Sequence, residues 1–301
     1  MTSERPSSRS DVESVLDGTP YSPLSLLGRG SMGEVWAIRH DFIGRDFALK
    51  VLHRRHRGNQ QLIERLKLEA KAIATLEHPN IVEVTDYWIA GDGRPCLVME
   101  LLQGERLDRV LLQRKRLPGP EVVELGRQAL SALQAAHAIG LVHRDIKPEN
   151  LFLQENPSQH GALKLLDFGL ARVMAGLAGG ASLQPLELTR TGMMLGSPRF
   201  MSPEALRGER VEPDSDLYSL GVVMYVCLVG LHSNFDLATS PVFGPPSQSG
   251  AIDCSEALDA IVLCAVETDR SQRFHSAQAF LAALDSIALS PCSGEQSYQR
   301  S

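Results

Sequence analysis

The chain has little of what would place it outside a reducing compartment. Its five cysteines, Cys96, Cys227, Cys254, Cys264 and Cys292, stand far apart in 301 residues with no CxxC pair. That argues against a disulfide framework and a cysteine zinc site, and fits reduced thiols in a cytoplasm. Long hydrophobic runs are scarce too. The longest, 217–231, contains Tyr218, Ser219 and two glycines. It falls short of the roughly 20 residues that cross a bilayer, so a buried helix and no membrane partner are expected. Residues 1–10 are polar and lack the apolar centre of a secretory signal. Positive charge is not in excess: the formal net charge is −6, which gives no footprint for nucleic acid. The basic cluster Arg54, Arg55 and Arg57 reads as a solvated loop. No internal repeat is visible.

What is present falls into two halves. Residues 1–20 are rich in Ser, Pro, Asp and Glu and read as a loose tail. From 21 to 89 strand patterns dominate: 24–27 and 34–39 flank a glycine turn, 47–52 follows, and 81–89 and 96–101 come later. One helix interrupts them over 61–76, with Leu62, Leu66, Ala70 and Ile73 at helical spacing and His78-Pro79-Asn80 as its stop. Beyond Gly104 helices take over at 121–139, 217–230, 257–266 and 276–287. The loop over 172–199 is too long for an ordinary connection. The expected fold is therefore α+β, two-lobed, with a small β-rich N-lobe joined near Gln103-Gly104 to a larger α-helical C-lobe.

Four motifs carry chemistry. After Leu27, the run Gly28-Arg29-Gly30-Ser31-Met32-Gly33-Glu34-Val35 reads G-x-G-x-x-G-x-V. Glycines there let backbone N–H groups approach phosphate oxygens. A dinucleotide fold would need a helix after the glycines, and 35–38 reads as a strand. Ala48-Leu49-Lys50 puts a lysine in an apolar strand, suited to the α- and β-phosphates of a nucleotide. The anion that would hold it is Glu69, beside the buried stripe of the 61–76 helix, with Glu64 as the competitor. His143-Arg144-Asp145-Ile146-Lys147-Pro148-Glu149-Asn150 crowds polar groups between apolar segments. Asp145 can accept a hydroxyl proton, Lys147 can neutralise a transferring phosphate, and Asn150 offers an oxygen to Mg²⁺. Finally, Asp167-Phe168-Gly169 places a hard carboxylate ligand before a glycine.

Taken together these residues resemble the protein kinase family over about 21–288, most closely the bacterial, eukaryotic-like serine/threonine kinases. The resemblance implies an N-lobe over 21–102, a C-lobe over 103–288 and a tail over 289–301. It also implies ATP and Mg²⁺ as cofactors and protein Ser/Thr hydroxyls as acceptors, since Lys147 follows the base by two. On that basis Lys50 pairs with Glu69, Asp145 is the catalytic base, and Asn150 and Asp167 hold Mg²⁺. Met99 stands as gatekeeper, the backbone of Glu100 and Leu102 bonds adenine, and Val35, Ala48 and Phe152 enclose the ring. Ser202-Pro203-Glu204 stands where Ala-Pro-Glu is usual. Arg273 is expected to pair with Glu204, and Asp216 to anchor the catalytic loop. Arg144 is expected to receive a phosphate on Thr189 or Thr191. The family's usual proline is missing from 231–235, which puts in doubt the helix normally found there. A fold that kept its shape without its chemistry would have lost Lys50, Asp145, Asn150 or Asp167, and all four are present. Small-molecule kinases generally lack the Ser-Pro-Glu segment found here.

Overall fold

The computed structural model describes residues 9–30, 32–155, 163–168, 198–230 and 243–287. An antiparallel five-stranded sheet of order β1-β2-β3-β5-β4 comes first: β1 Tyr21–Arg29, β2 Gly33–His40, β3 Asp46–Leu52, β4 Val84–Ile89 and β5 Pro95–Glu100.

Strand alternation decides what each face of this sheet does. Trp36 and Ile38 of β2, Phe47, Leu49 and Val51 of β3, and Cys96 and Val98 of β5 share one face. Helix α1, Arg9–Leu16, covers that face with Val12, Val15 and Leu16, each at most 4 % exposed. Trp88 Nε1 donates to the Val15 carbonyl (3.4 Å), and Arg54 meets Asp11 (2.8 Å). The tail expected over 1–20 is thus corrected for 9–16. The spacing Val12-x-x-Val15-Leu16 makes one short apolar stripe, and the sheet face supplies the burial that so short a helix needs. Val35, Ala48, Lys50 and Met99 alternate onto the opposite face, where the candidate site lies.

That second face is backed by α2, Gln60–Ala74, the helix expected over 61–76. Asn59 caps it by accepting from the Leu62 N–H, and Leu62, Leu66, Ala70 and Ile73 are buried as their spacing predicts. The helix ends at Thr75, just ahead of His78-Pro79-Asn80.

The second lobe begins with a join that demands glycine. Gly104 has φ +140°, and a Cβ there would lie 2.0 Å from the Leu153 carbonyl oxygen. A three-stranded sheet follows, of β6 Gly104–Arg106, β7 Leu151–Gln154 and β8 Leu163–Leu165. The helices are α3 Leu107–Arg114, α4 Gly119–Ala138, α5 Pro203–Leu206, α6 Pro213–Val229, α7 Glu256–Ala265 and α8 Ala277–Asp285. Every residue of α6 from Ser215 to Val229 is buried, so this helix is the axis of the lobe rather than an amphipathic surface element. No helix among the described residues is long and apolar enough to cross a membrane. The doubtful segment over 231–242 lies outside the described residues. From 243 to α7 the chain forms only the 3-10 turn Pro246–Ser249.

Candidate active site

The β1–β2 hairpin holds the glycines, and they divide the work. Around Gly28 there is open space, and a Cβ on Gly30 would meet nothing closer than 3.9 Å. At Gly33 a Cβ would lie 2.1 Å from the Val51 carbonyl oxygen, so this glycine lets β2 lie against β3 rather than making room for phosphate. Arg29 and Glu34 close the hairpin across the strands at 3.1 Å, and Glu34 also accepts from Trp36 Nε1 (3.1 Å). Leu27 sits at an irregularity in the ladder and is 51 % exposed. Met32 packs against Leu52, Leu62 and Leu66, and Ser31 lies outside the described residues.

Ala48, Val82 and Met99 are buried together, with Val35, Leu102 and Leu166 packed against them. Val82 and Leu166 are absent from the sequence-based set, although Leu166 directly precedes Asp167 and Val82 lies two residues beyond Asn80. The Leu102 peptide makes no backbone hydrogen bond among the described residues. Phe152 is half-buried on β7.

Lys50 departs from expectation. Its Nζ donates to Asp167 Oδ1 at 2.6 Å, and among the described residues there is no Lys50–Glu69 ion pair. Glu69 lines the same cavity behind Met99 as Lys50 and Asp167 do, while Glu64 is exposed, so α2 presents the expected face. A lysine this buried takes the carboxylate that reaches it, and here that is Asp167. Burial pushes the Asp167 carboxyl up, but the charge and hydrogen bond of Lys50, with His143 and Lys147, outweigh it and hold the group below its ordinary value. Asp167 has φ 57° and Arg144 φ 67°. Left-handed backbone at two non-glycine residues persists only where the surroundings over-determine it, commonly at functional sites.

Those surroundings are visible at Arg144. Asp216, in the first turn of α6, accepts the backbone N–H of His143 (2.8 Å) and of Arg144 (2.7 Å), and binds His137 Nε2 (2.8 Å). Asp216 therefore anchors the loop as expected, and His137, on the last turn of α4, is a partner that no local motif announces. The His143 ring contacts Phe168 at 4.5 Å between centroids and bonds the Leu166 carbonyl through Nε2 (2.8 Å). On this base stand the candidate reactive groups. Lys147 Nζ donates to both Asp145 carboxylate oxygens (2.9 and 2.7 Å). Asn150 Nδ2 donates to the Asp145 carbonyl (2.8 Å) and to Oδ2 (2.9 Å). The Asn150 backbone carbonyl accepts the Leu166 N–H (2.9 Å), which ties this loop to the residue before Asp167.

Glu204 and Arg273 form the expected buried, bidentate pair at 3.0 and 3.1 Å. Ser215 Oγ adds a third bond to Glu204 (2.7 Å), and the guanidinium lies 4.6 Å from the Tyr218 ring centroid. Thr189 and Thr191 lie outside the described residues.

Comparison with known proteins agrees with this geometry. The family model described as "Protein kinase domain" matches residues 21–240. The chain is 34 % identical over 276 residues to the serine/threonine-protein kinase pkn3 of Myxococcus xanthus, covering 89 % of this chain and 50 % of pkn3. It is 36 % identical over 289 residues to PknL of Mycobacterium tuberculosis, covering 93 % of this chain and 68 % of PknL. The chain thus spans half the length of the first relative and about two thirds of the second. Among solved structures, the PknI kinase domain of M. tuberculosis superposes with a TM-score of 0.67 at 26 % identity, covering 88 % of this chain and 94 % of that one. Rad53 in complex with AMP-PNP shares the fold, with a TM-score of 0.66 at 22 % identity, covering 87 % of this chain and 64 % of that one. With a cleft between two lobes, a glycine hairpin above it and Asp145 held below, the chain belongs to the protein kinase family.

Proposed function

We propose that this chain is a serine/threonine protein kinase that transfers the γ-phosphoryl group of ATP, with Mg²⁺, to protein hydroxyls. The observation that carries the reading is the Asp145–Lys147–Asn150 cluster, hung from Asp216 and facing the cleft region where Lys50 meets Asp167. In this reading Asp145 accepts the proton of the incoming hydroxyl, and Lys147, already 2.7 Å from it, neutralises the phosphoryl oxygens as charge develops. Lys50 binds the inner phosphates, and Val35, Ala48, Met99 and Phe152 enclose the base, which hydrogen-bonds the Glu100 and Leu102 peptides. Rad53, which shares the fold, is held with the ATP analogue AMP-PNP, in keeping with a nucleotide in this cleft.

The residues fit magnesium. Among the described residues no group of three or more His, Cys, Asp and Glu makes a protein-only metal site. The ionised Asp167 and the Asn150 side-chain oxygen instead give two hard ligands, which suits an ion completed by phosphate oxygens and water. Bound there, the ion would neutralise charge on the phosphates. A cytoplasmic setting belongs to the same reading, since Cys96, Cys227, Cys254 and Cys264 stand as free thiols rather than disulfides.

The test is incubation with γ-labelled ATP, Mg²⁺ and a generic basic protein, followed by phosphoamino-acid analysis. Label on serine or threonine is expected. Asp145→Asn should lower turnover by about 10²–10⁴-fold with nucleotide binding retained. Label confined to tyrosine or to small molecules, or full turnover in the variant, would overturn the reading.

A further inference from the structure

Strand β8 alternates as a strand should. Leu163 and Leu165 are 1 % and 0 % exposed and belong to the core of the second lobe, so Lys164 lies on the opposite face. A lysine on that face would ordinarily reach water, yet Lys164 is 7 % exposed. Its Nζ donates to Glu100 Oε1 at 2.6 Å and to the Ile81 carbonyl at 3.2 Å. Glu100 Oε1 also accepts the Glu83 N–H (2.8 Å), and the Glu100 N–H donates to the Glu83 carbonyl (3.0 Å). The end of β5 is thereby held through its side chain and its backbone at once.

Lys164 has a second relation to the cleft. It stands directly across the β7–β8 ladder from Phe152, and directly opposed residues share a face of the sheet. One ammonium group, on the strand paired with that of Phe152, therefore meets the side chain of Glu100, the residue whose own peptide closes β5. Stability alone gives no reason for the arrangement, because an apolar pair of similar shape often serves as well as a buried ion pair. What a hydrogen-bonded charge pair supplies is a fixed register between the two elements it joins.

We infer that Lys164 is a positioning residue for the nucleotide base, setting the Glu100–Leu102 peptides at a fixed height above Phe152. The inference rests on the proposed function, in which those peptides bond the base. Adenine offers a donor at its exocyclic nitrogen, where guanine offers an acceptor, so a correctly placed backbone favours ATP over GTP. A displaced hinge loses that preference.

The test measures binding of ATP and GTP by calorimetry, together with the steady-state kinetics, for the full chain and two variants. Lys164→Met should weaken ATP binding by about tenfold, the size of one lost hydrogen bond, with GTP binding nearly unchanged. The KM for ATP should rise in parallel while kcat stays within about twofold. Glu100→Gln keeps the length and one acceptor oxygen, so it should fall between the wild-type chain and Lys164→Met. The double variant should be no worse than Lys164→Met alone, because both changes break one link. An unchanged ATP-to-GTP ratio in a folded variant overturns the inference, and so does an equal loss for both nucleotides, which would mark a purely structural role. Should Lys164→Met fail to fold, Glu100→Gln decides alone. A wild-type chain that binds neither nucleotide overturns this inference and the proposed function together.

Discussion

Replacing Arg273 by methionine removes one partner of the buried pair while keeping most of the side chain's bulk. In the wild-type chain both side chains are fully buried, and Arg273 makes two bonds to Glu204 and further bonds to the Glu267 and Thr268 carbonyls. Burial alone would push the Glu204 carboxyl up. The hydrogen bonds of Arg273, Ser215 and Ser202, with its own backbone, outweigh that and bring it to about 2, from an ordinary 4.5. A depression of that size corresponds to stabilisation on the order of 3 kcal/mol. Because the folded value lies below the unfolded one, the contribution is complete above pH 4.5 and is lost as pH falls toward 2. Arg273→Met leaves the carboxyl buried with its serine partners, and should cost about 3–5 kcal/mol at pH 7. The difference between wild type and variant should shrink as pH falls through that window, since a protonated Glu204 no longer needs the cation. Urea unfolding followed by far-UV circular dichroism at pH 7, 5, 4 and 3 reads this directly. A variant as stable as wild type at pH 7, or a deficit that stays constant down to pH 3, would refute the argument.

Other perturbations separate the remaining parts. Lys50→Met and Asp167→Ala should each abolish detectable phosphoryl transfer in the labelled-ATP assay, since both groups act on phosphate charge; full activity in either would mean the phosphates are held elsewhere. Lys50→Met should also let the Asp167 carboxyl titrate higher, because the largest lowering influence on it is gone, which carboxyl-carbon NMR would register. Leu16→Ala should destabilise the N-lobe by about 2–5 kcal/mol if α1 is part of its core. Both tryptophans of the chain, Trp36 and Trp88, pack in the cluster that α1 covers, so fluorescence during urea unfolding reports on it, and an unmoved midpoint would show α1 to be dispensable.

The sequence made the chemistry legible because it lies in short runs. Asp145, Lys147 and Asn150 are within six residues of one another, so their meeting needs only a tight loop. The apolar run Phe47-Ala48-Leu49 marked Lys50 as a lysine carried by a strand without any knowledge of the partner strands. Long-range pairs were legible only where a matching motif named both ends, as with Glu204 and Arg273. Where two carboxylates compete for one cation, spacing cannot decide: Lys50 meets Asp167 because of how β8 and β3 approach each other, and Glu69 is one helix away. Lys164 and His137 were missed for a related reason. Each is an ordinary polar residue in an apolar element until another segment closes over it. Helix α1 was hidden by composition, since three apolar residues among Ser, Asp and Glu look like a tail unless the sheet face awaiting them is known.

Asp216 links two properties that are usually treated apart. It is 1 % exposed, in a helix buried all round, and it accepts the consecutive backbone N–H groups of His143 and Arg144. The loop bearing Asp145 is therefore suspended from the most deeply packed element of the molecule rather than from the surface it serves. A change at the lobe boundary that leaves α6 packed leaves the loop's position in place, because the suspension point does not belong to that boundary. Heat or denaturant, conversely, cannot loosen the loop by degrees: its geometry survives as long as α6 stays packed and fails when that helix does. The precision of the site is in this sense a property of the hydrophobic core, delivered through one carboxylate.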